Sequence, residues 1–318
     1  MTPAARDPEC PLCGRRGLKT YFVIGRHRYF KCRACRLIQM NPLPEVGTGD
    51  DYTGYDLERS RAFTRLFRTP QYRRDLSLIG RYKRSGRLLD IGCGTGEFLD
   101  QAEEAGFSVM GIEPSPTACR IAGARHDVRC TRFEETSWPQ AGFDVVTLWS
   151  VLEHVPRPSV FLEKISAVAK DDAILALRLP AADGLLPLAS DLLYRIFIGA
   201  IDRPLRLIYQ LDWHYKHFYG YDAHNAGRLL RSAGYEPLCL RYDDSYDIPS
   251  LDQRMDYLPR APAARAGFKA ALSLMLEASR QLGRRDELVI IARRVQPSDR
   301  AGGDTHFAGE PDGRQVRG

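Results

Sequence analysis

Two cysteine pairs open the chain, Cys10-x2-Cys13 and Cys32-x2-Cys35, with 18 residues between them. A CxxC turn can present two thiolates to one cation, and two such turns at this spacing predict a tetrahedral Zn2+ site. Four cysteine ligands leave no open position, so the predicted role is structural. Between Cys10 and Arg36 lie eight Lys/Arg (Arg15, Arg16, Lys19, Arg26, Arg28, Lys31, Arg33, Arg36) and no Asp or Glu. They offset the negative charge of four thiolates on one divalent ion; phosphate is the other partner such a patch could meet.

A second constellation surrounds a glycine turn. Leu88-Leu89-Asp90-Ile91 reads as a short strand, Gly92-Cys93-Gly94-Thr95-Gly96 as the turn, and Glu97-Phe98-Leu99 as the start of a helix. Such a turn offers backbone N–H groups at a helix N-terminus and lets a ligand approach the backbone closely. Asp90 ends the first strand. Glu113 ends the next, over 107–112, where a carboxylate can hold both hydroxyls of a ribose. A dinucleotide site would need GxGxxG, but the third glycine position holds Glu97 counting from Gly92 and Leu99 counting from Gly94. That fingerprint fails. Asp90 suits a ligand with a cationic amino group and a sulfonium better than a pyrophosphate, and a strand-end carboxylate is costly unless something compensates it.

Histidines supply the remaining chemistry. His154 follows Glu153, while His214 and His217 lie in Trp213-His214-Tyr215-Lys216-His217-Phe218-Tyr219. Imidazole titrates near neutrality, so these three are the candidate bases.

Further elements must carry these groups. Tyr21-Phe22-Val23-Ile24 and Arg28-Tyr29-Phe30 read as two ribbon strands between the cysteine pairs. Residues 56–84 read as one or two linking helices. Beyond the glycine turn, helices over 159–170, 222–233 and 261–282 alternate with strands over 173–178, 236–242 and 287–294. That alternation predicts an α/β fold with a doubly wound, mostly parallel sheet. The expected boundaries are a ribbon over 1–45, a helical linker over 46–85, a core over 86–295 and a disordered tail over 296–318 that has little to bury. Residues 181–221 are apolar with charges at intervals. They are expected as a lid or acceptor wall over the site, with a membrane-surface helix over 185–211 as the alternative. No run of 18 uncharged apolar residues occurs and the first residues are polar, so a cytoplasmic protein is expected. Cys93, Cys119, Cys130 and Cys239 are scattered, which fits a reducing compartment.

The order of these motifs resembles the class I S-adenosylmethionine (SAM)-dependent methyltransferases. Residues 88–96 are similar to the family's first motif, Gly111-Ile112-Glu113-Pro114-Ser115 to its ribose segment, and Phe143-Asp144-Val145-Val146 through His154 to its fourth motif. The cysteine ribbon, with Asn41-Pro42-x-Pro44 and Tyr52-x2-Tyr55 after it, resembles a bacterial subgroup with a zinc ribbon first and the methyltransferase second. The resemblance implies a Rossmann-like sheet of seven strands with one antiparallel. It implies that Asp90, Gly92, Gly94 and Gly96 meet the methionine part of SAM and Glu113 its ribose. Phe133 or Glu134 would meet the adenine, and Trp149 and Ser150 would close the cleft. For Phe133 and Trp149, ordinary core packing is the competing expectation. The implied reaction is methyl transfer to an O or C atom of a small metabolite or glycan precursor. The alternatives are an RNA methyltransferase that grips phosphates through the ribbon, and a non-catalytic zinc-ribbon interaction protein.

Overall fold

The computed structural model describes residues 8–44, 61, 64–138, 142–213, 215–244 and 262–295. A small antiparallel sheet comes first. β1 (Lys19–Ile24) and β2 (His27–Lys31) form a hairpin through Gly25 and Arg26, with Gly25 at φ +57°. β3 (Ile38–Met40) pairs with β2, and its other edge takes β9 (Tyr219–Gly220), a strand from far along the chain. The ribbon sheet is thus completed by the core's own residues.

The described residues also form a seven-stranded sheet. Its members are β4 (Gly86–Ile91), β5 (Phe107–Ile112), β6 (Val128–Arg129), β7 (Phe143–Trp149), β8 (Ala169–Pro180), β10 (Tyr235–Asp243) and β11 (Glu287–Arg294). The spatial order is β10-β11-β8-β7-β4-β5-β6, and β11 runs antiparallel to both of its neighbours. This is the doubly wound, mostly parallel architecture expected. Central strands such as β7 are apolar along most of their length because helices cover both faces.

Local chemistry starts the helices. α1 (Thr69–Ile79) follows a π-helical turn at Thr64–Arg68 and has Pro70 in its first turn. α2 (Glu97–Glu104) begins at Gly96. At α3 (Pro116–Gly123) the Ser115 side chain accepts from the Ala118 N–H at 3.2 Å. α4 (Pro158–Val168) crosses from β7 to β8, and α5 (Leu185–Ile196) and α6 (Arg203–Ile208) follow β8. α7 (Ala223–Ser232) opens with a reciprocal cap between Asp222 and Asn225. α8 (Pro262–Gln281) precedes β11. Tyr52, Tyr55 and the tail over 296–318 lie outside the described residues, as does most of the linker before Thr64.

The helices of the 181–221 segment pack against the ribbon. The Tyr194 hydroxyl donates to the Val23 carbonyl at 2.7 Å and accepts from the Val23 N–H at 3.2 Å. The Tyr209 ring lies 5.0 Å from Phe22 and 4.6 Å from Tyr29, which in turn stacks on Phe22 at 4.5 Å. Each such aromatic pair adds about 0.5–1.5 kcal/mol beyond the area it buries. Ribbon and core consequently share one hydrophobic cluster. Leu192, Ile196 and Phe197 point outward to solvent. Among the described residues, no helix is long and apolar enough to cross a membrane.

Candidate active site

β4 ends at Ile91, and the chain turns into α2 through Gly92, Gly94 and Gly96 at φ +75°, +54° and +90°. Those left-handed angles are open to glycine at little cost. Space matters as much: a Cβ on Gly92 would sit 2.7 Å from Val151 Cγ2, and one on Gly111 of β5 would sit 2.6 Å from Cys93 Sγ. The turn therefore lies directly on the end of β5, where the Gly92 and Cys93 N–H groups donate to the Ile112 carbonyl at 2.8 and 3.3 Å.

Glu113 follows β5 and faces this turn, 5% exposed. Its carboxylate accepts from the Gly94 N–H at 2.9 Å and from the Ser115 N–H at 3.0 Å. Asp90 ends the neighbouring strand and is buried, accepting the Thr147 hydroxyl at 2.6 Å. Burial pushes its carboxyl up to about 8; the Thr147 hydrogen bond opposes this and the charge of Glu113 adds to it. Two carboxylates thus flank one glycine turn at the C-terminal edge of the sheet, where open α/β sheets bind ligands.

The other expected cofactor residues are spread around this edge. Trp149 ends β7, half-buried, with its ring 4.9 Å from Phe98 and 6.3 Å from Tyr72. Ser150 comes next at φ +57°. Phe133 is buried with its ring against Trp138 and Phe161, and Glu134 beside it is exposed.

Two of the three histidines meet. Leu152–His154 forms a short 3-10 turn after β7, and the His154 ring lies 4.9 Å from His217. His154 Nδ1 is 2.9 Å from the Lys216 carbonyl. A carbonyl only accepts, so Nδ1 carries the proton and Nε2 keeps its lone pair. Burial lowers both rings, His154 to about 4, so both are neutral at pH 7. His214 lies outside the described residues.

The four cysteine sulfurs converge within 4.8 Å of one another. Cys10 and Cys35 are 3.4 Å apart, Cys13 and Cys32 3.6 Å. Tetrahedral Zn–S bonds of about 2.3 Å would place sulfurs about 3.8 Å apart. Both turns close alike: Gly14 N–H donates to Cys10 O and Arg36 N–H to Cys32 O, each at 2.9 Å. Gly14 and Arg36 share positive φ, +68° and +62°. The donor set, its burial and its two-fold repetition all fit a tetrahedral ion.

A family described as "Methyltransferase domain" matches residues 49–240, more than half of the chain. The chain belongs to that family. This methyltransferase is similar to ubiquinone biosynthesis O-methyltransferases. It is 40% identical to that of Rhodopseudomonas palustris over 96 residues, which is 28% of this chain and 38% of that protein. It is 37% identical to that of Bordetella bronchiseptica over 92 residues, 26% of this chain and 38% of the relative. The chain thus spans well under half the length of these relatives. Two solved structures share the fold. The complex of the Haloferax volcanii Trm112 methyltransferase activator with its methyltransferase gives a TM-score of 0.54 at 15% identity, covering 79% of this chain and 100% of that one. A SAM-dependent methyltransferase from Thermotoga maritima gives 0.51 at 16%, covering 79% and 100%.

The family implies SAM as methyl donor, and the residues present fit it. The glycine turn tolerates no side chain at Gly92, and Asp90 is a buried carboxyl held by one hydroxyl, suited to a cationic partner. Sequence reasoning missed two features of the methyltransferase. One is Glu153, wholly buried beside His154 and His217. The other is Arg178, 2% exposed on β8, which holds Asp75 of α1, Asp243 of β10 and Glu287 of β11. A lone arginine in the run Ala176-Leu177-Arg178-Leu179 was the available signal for the second, and adjacency to His154 the signal for the first.

Proposed function

We propose that this chain moves the SAM methyl group to an oxygen or carbon atom of a small metabolite or glycan precursor, in the cytoplasm, with Zn2+ held structurally by Cys10, Cys13, Cys32 and Cys35. The pair of buried strand-end carboxylates beside the glycine turn carries this reading. Asp90 and the turn take the methionine end, Glu113 the ribose hydroxyls, and Phe133 or Glu134 the adenine edge. Trp149 and Ser150 border the cleft at the end of β7. Bound SAM supplies an electrophilic methyl group on a positively charged sulfur.

Transfer is an in-line displacement, so alignment is the protein's main task. The acceptor atom bonds to the methyl carbon as the carbon–sulfur bond breaks, and the acceptor's proton must leave. His154, just after β7, and His217, which meets it from the segment after α6, are the candidate groups to help, with His214 between Trp213 and Tyr215 as the third. A dry surrounding favours a step in which the sulfur loses its charge. Oxygen as the acceptor atom is supported by the relatives, which are named as O-methyltransferases.

Incubating the full chain with methyl-labelled SAM and a small-molecule extract tests this. Label is expected in a low-molecular-weight product, and Asp90→Ala should abolish it. Label found only in RNA, with salt-sensitive gel shifts, would transfer the reading to the RNA alternative.

A further inference from the structure

Glu153 poses a problem that methyl transfer by itself does not solve. Its carboxylate is 0% exposed, and neither oxygen makes a hydrogen bond of good geometry among the described residues. The residue's own backbone N–H gives partial compensation. A buried polar group left in this way costs about 1–3 kcal/mol, more when charged, so an orphaned carboxylate calls for a partner. The hydroxyl of Tyr221, also buried and without a hydrogen bond among the described residues, lies near enough to feel the charge of Glu153.

The surrounding donors are arranged for a cation. His154 Nε2 stands 4.0 Å from Glu153 Oε1, and its lone pair is available because Nδ1 is committed to the Lys216 carbonyl. His217 is buried beside it, its ring 4.9 Å from that of His154, which brings a second imidazole to the same point. An imidazole fixed as that of His154, one nitrogen on a carbonyl and the other on a metal, is the usual outer-shell pattern of metal-binding histidines. One atom from each of Glu153, His154 and His217 lies within 4.8 Å of the others. Metal–nitrogen bonds of about 2.0–2.1 Å would draw ligand atoms to about 3.3 Å apart, a closure on the order of 1 Å.

We propose that Glu153, His154 and His217 bind a divalent transition-metal cation of the Zn2+ class in a three-ligand site with an open position. Two imidazoles and one carboxylate form a borderline donor set, and three protein ligands are the pattern of catalytic, not structural, sites. This site is separate from the four cysteines. It also lies near the chemistry: Val151, two residues before Glu153, is the side chain that a Cβ on Gly92 would strike. Resting on the methyl-transfer reading, the open position takes the acceptor's oxygen and acidifies its hydroxyl, whose proton passes to water before the oxygen–carbon bond forms and the carbon–sulfur bond breaks; the histidines then act through the ion instead of as bases. Binding of the cation itself does not depend on that reading.

The full chain, with zinc retained in the ribbon, is titrated with Mn2+ in the absence of SAM and acceptor. Pulsed electron paramagnetic resonance of bound Mn2+ is expected to show coupling to two histidine nitrogens. Zinc content after gel filtration is expected at two ions per chain for the wild type and one for Glu153→Gln and for His217→Gln. Mn2+ affinity in Glu153→Gln should fall by at least about 100-fold. Should a variant fail to fold, the wild-type spectrum decides: Mn2+ without nitrogen coupling, or one zinc per wild-type chain, overturns the site. A parallel SAM titration keeps this outcome distinct from failure of the methyltransferase reading.

Discussion

The backbone N–H of Gly94 donates to the carboxylate of Glu113 at 2.9 Å, which ties the glycine turn to the end of the adjacent strand. The second oxygen takes the Ser115 N–H at 3.0 Å. Glu113 therefore holds the turn in shape before any ligand arrives. In Glu113→Gln one acceptor oxygen becomes a donor that faces a backbone N–H. A hydrogen bond to a charged group contributes about 1.5–3 kcal/mol, so SAM affinity is expected to fall about 10- to 100-fold. Isothermal calorimetry with SAM measures this directly. Unchanged affinity would remove Glu113 from the cofactor site.

Asp90 makes that affinity depend on pH. Burial is the main cause that pushes its carboxyl up to about 8, so at pH 7 most of the ligand-free protein carries a proton there. A cationic ligand favours the ionised form and must displace that proton. Affinity is thus expected to rise with pH, by roughly tenfold per unit well below 8, and to level off above it. Near pH 7, calorimetry in two buffers of different ionisation enthalpy should detect close to one proton released per SAM bound. Asp90→Asn should flatten the profile and weaken binding. A flat wild-type profile would contradict the assignment.

Docking of the ribbon on the core leads to a third expectation. Phe22 and Tyr29 pack on Tyr209, and β3 pairs with β9, so the ribbon has no separate hydrophobic core. Stripping the ribbon metal with a strong chelator should lower the melting temperature of the whole molecule in one transition. Phe22→Ala, which removes the central ring, should cost about 3–5 kcal/mol and act on that same transition. Two resolved calorimetric peaks, with only the first sensitive to chelator, would show that the units fold independently.

Legibility in the sequence followed chain distance. Asp90, the three glycines of the turn and Glu113 lie within one strand–turn–helix–strand unit, so their spacing reflects their geometry. The same holds for Cys10, Cys13, Cys32 and Cys35, whose two turns repeat one local shape. The 181–221 segment was harder to read, because its apolar spacing shows that it packs but not on what. Its partners Phe22 and Tyr29 lie far back in the chain, and the two-residue strand Tyr219–Gly220 has too little pattern to announce a pairing. Glu153 was obscured for another reason. Beside it in sequence only His154 is polar, and its relation to His217 arises only when the segment after α6 returns across the end of β7. The Phe218 N–H, which donates to the Glu153 carbonyl at 2.8 Å, marks that return.

The Arg178 cluster shows how a central charge can set the sign of acid sensitivity. Arg178 lies 2.8 Å from Asp75 and 3.0 Å from Asp243 and contacts Glu287, while Arg68 reaches Glu287 at 3.1 Å. Burial raises all three carboxyls. The arginines outweigh it at Asp243 and Glu287, which sit below the usual range, whereas Asp75, the deepest, stays above it. Stability from Asp243 and Glu287 is therefore present above their unfolded pKa and is lost as pH falls through their lower folded values; Asp75 works in the opposite direction. Arg178→Met removes the central cation and leaves buried carboxylates without it, which should cost about 3–5 kcal/mol near pH 7.5. Those carboxylates can then relieve the cost by binding protons. Urea unfolding at pH 7.5 and pH 5 should accordingly show the gap between wild type and variant narrowing in acid. An equal gap at both values would mean that Arg178 acts through packing alone and that its charge is compensated elsewhere.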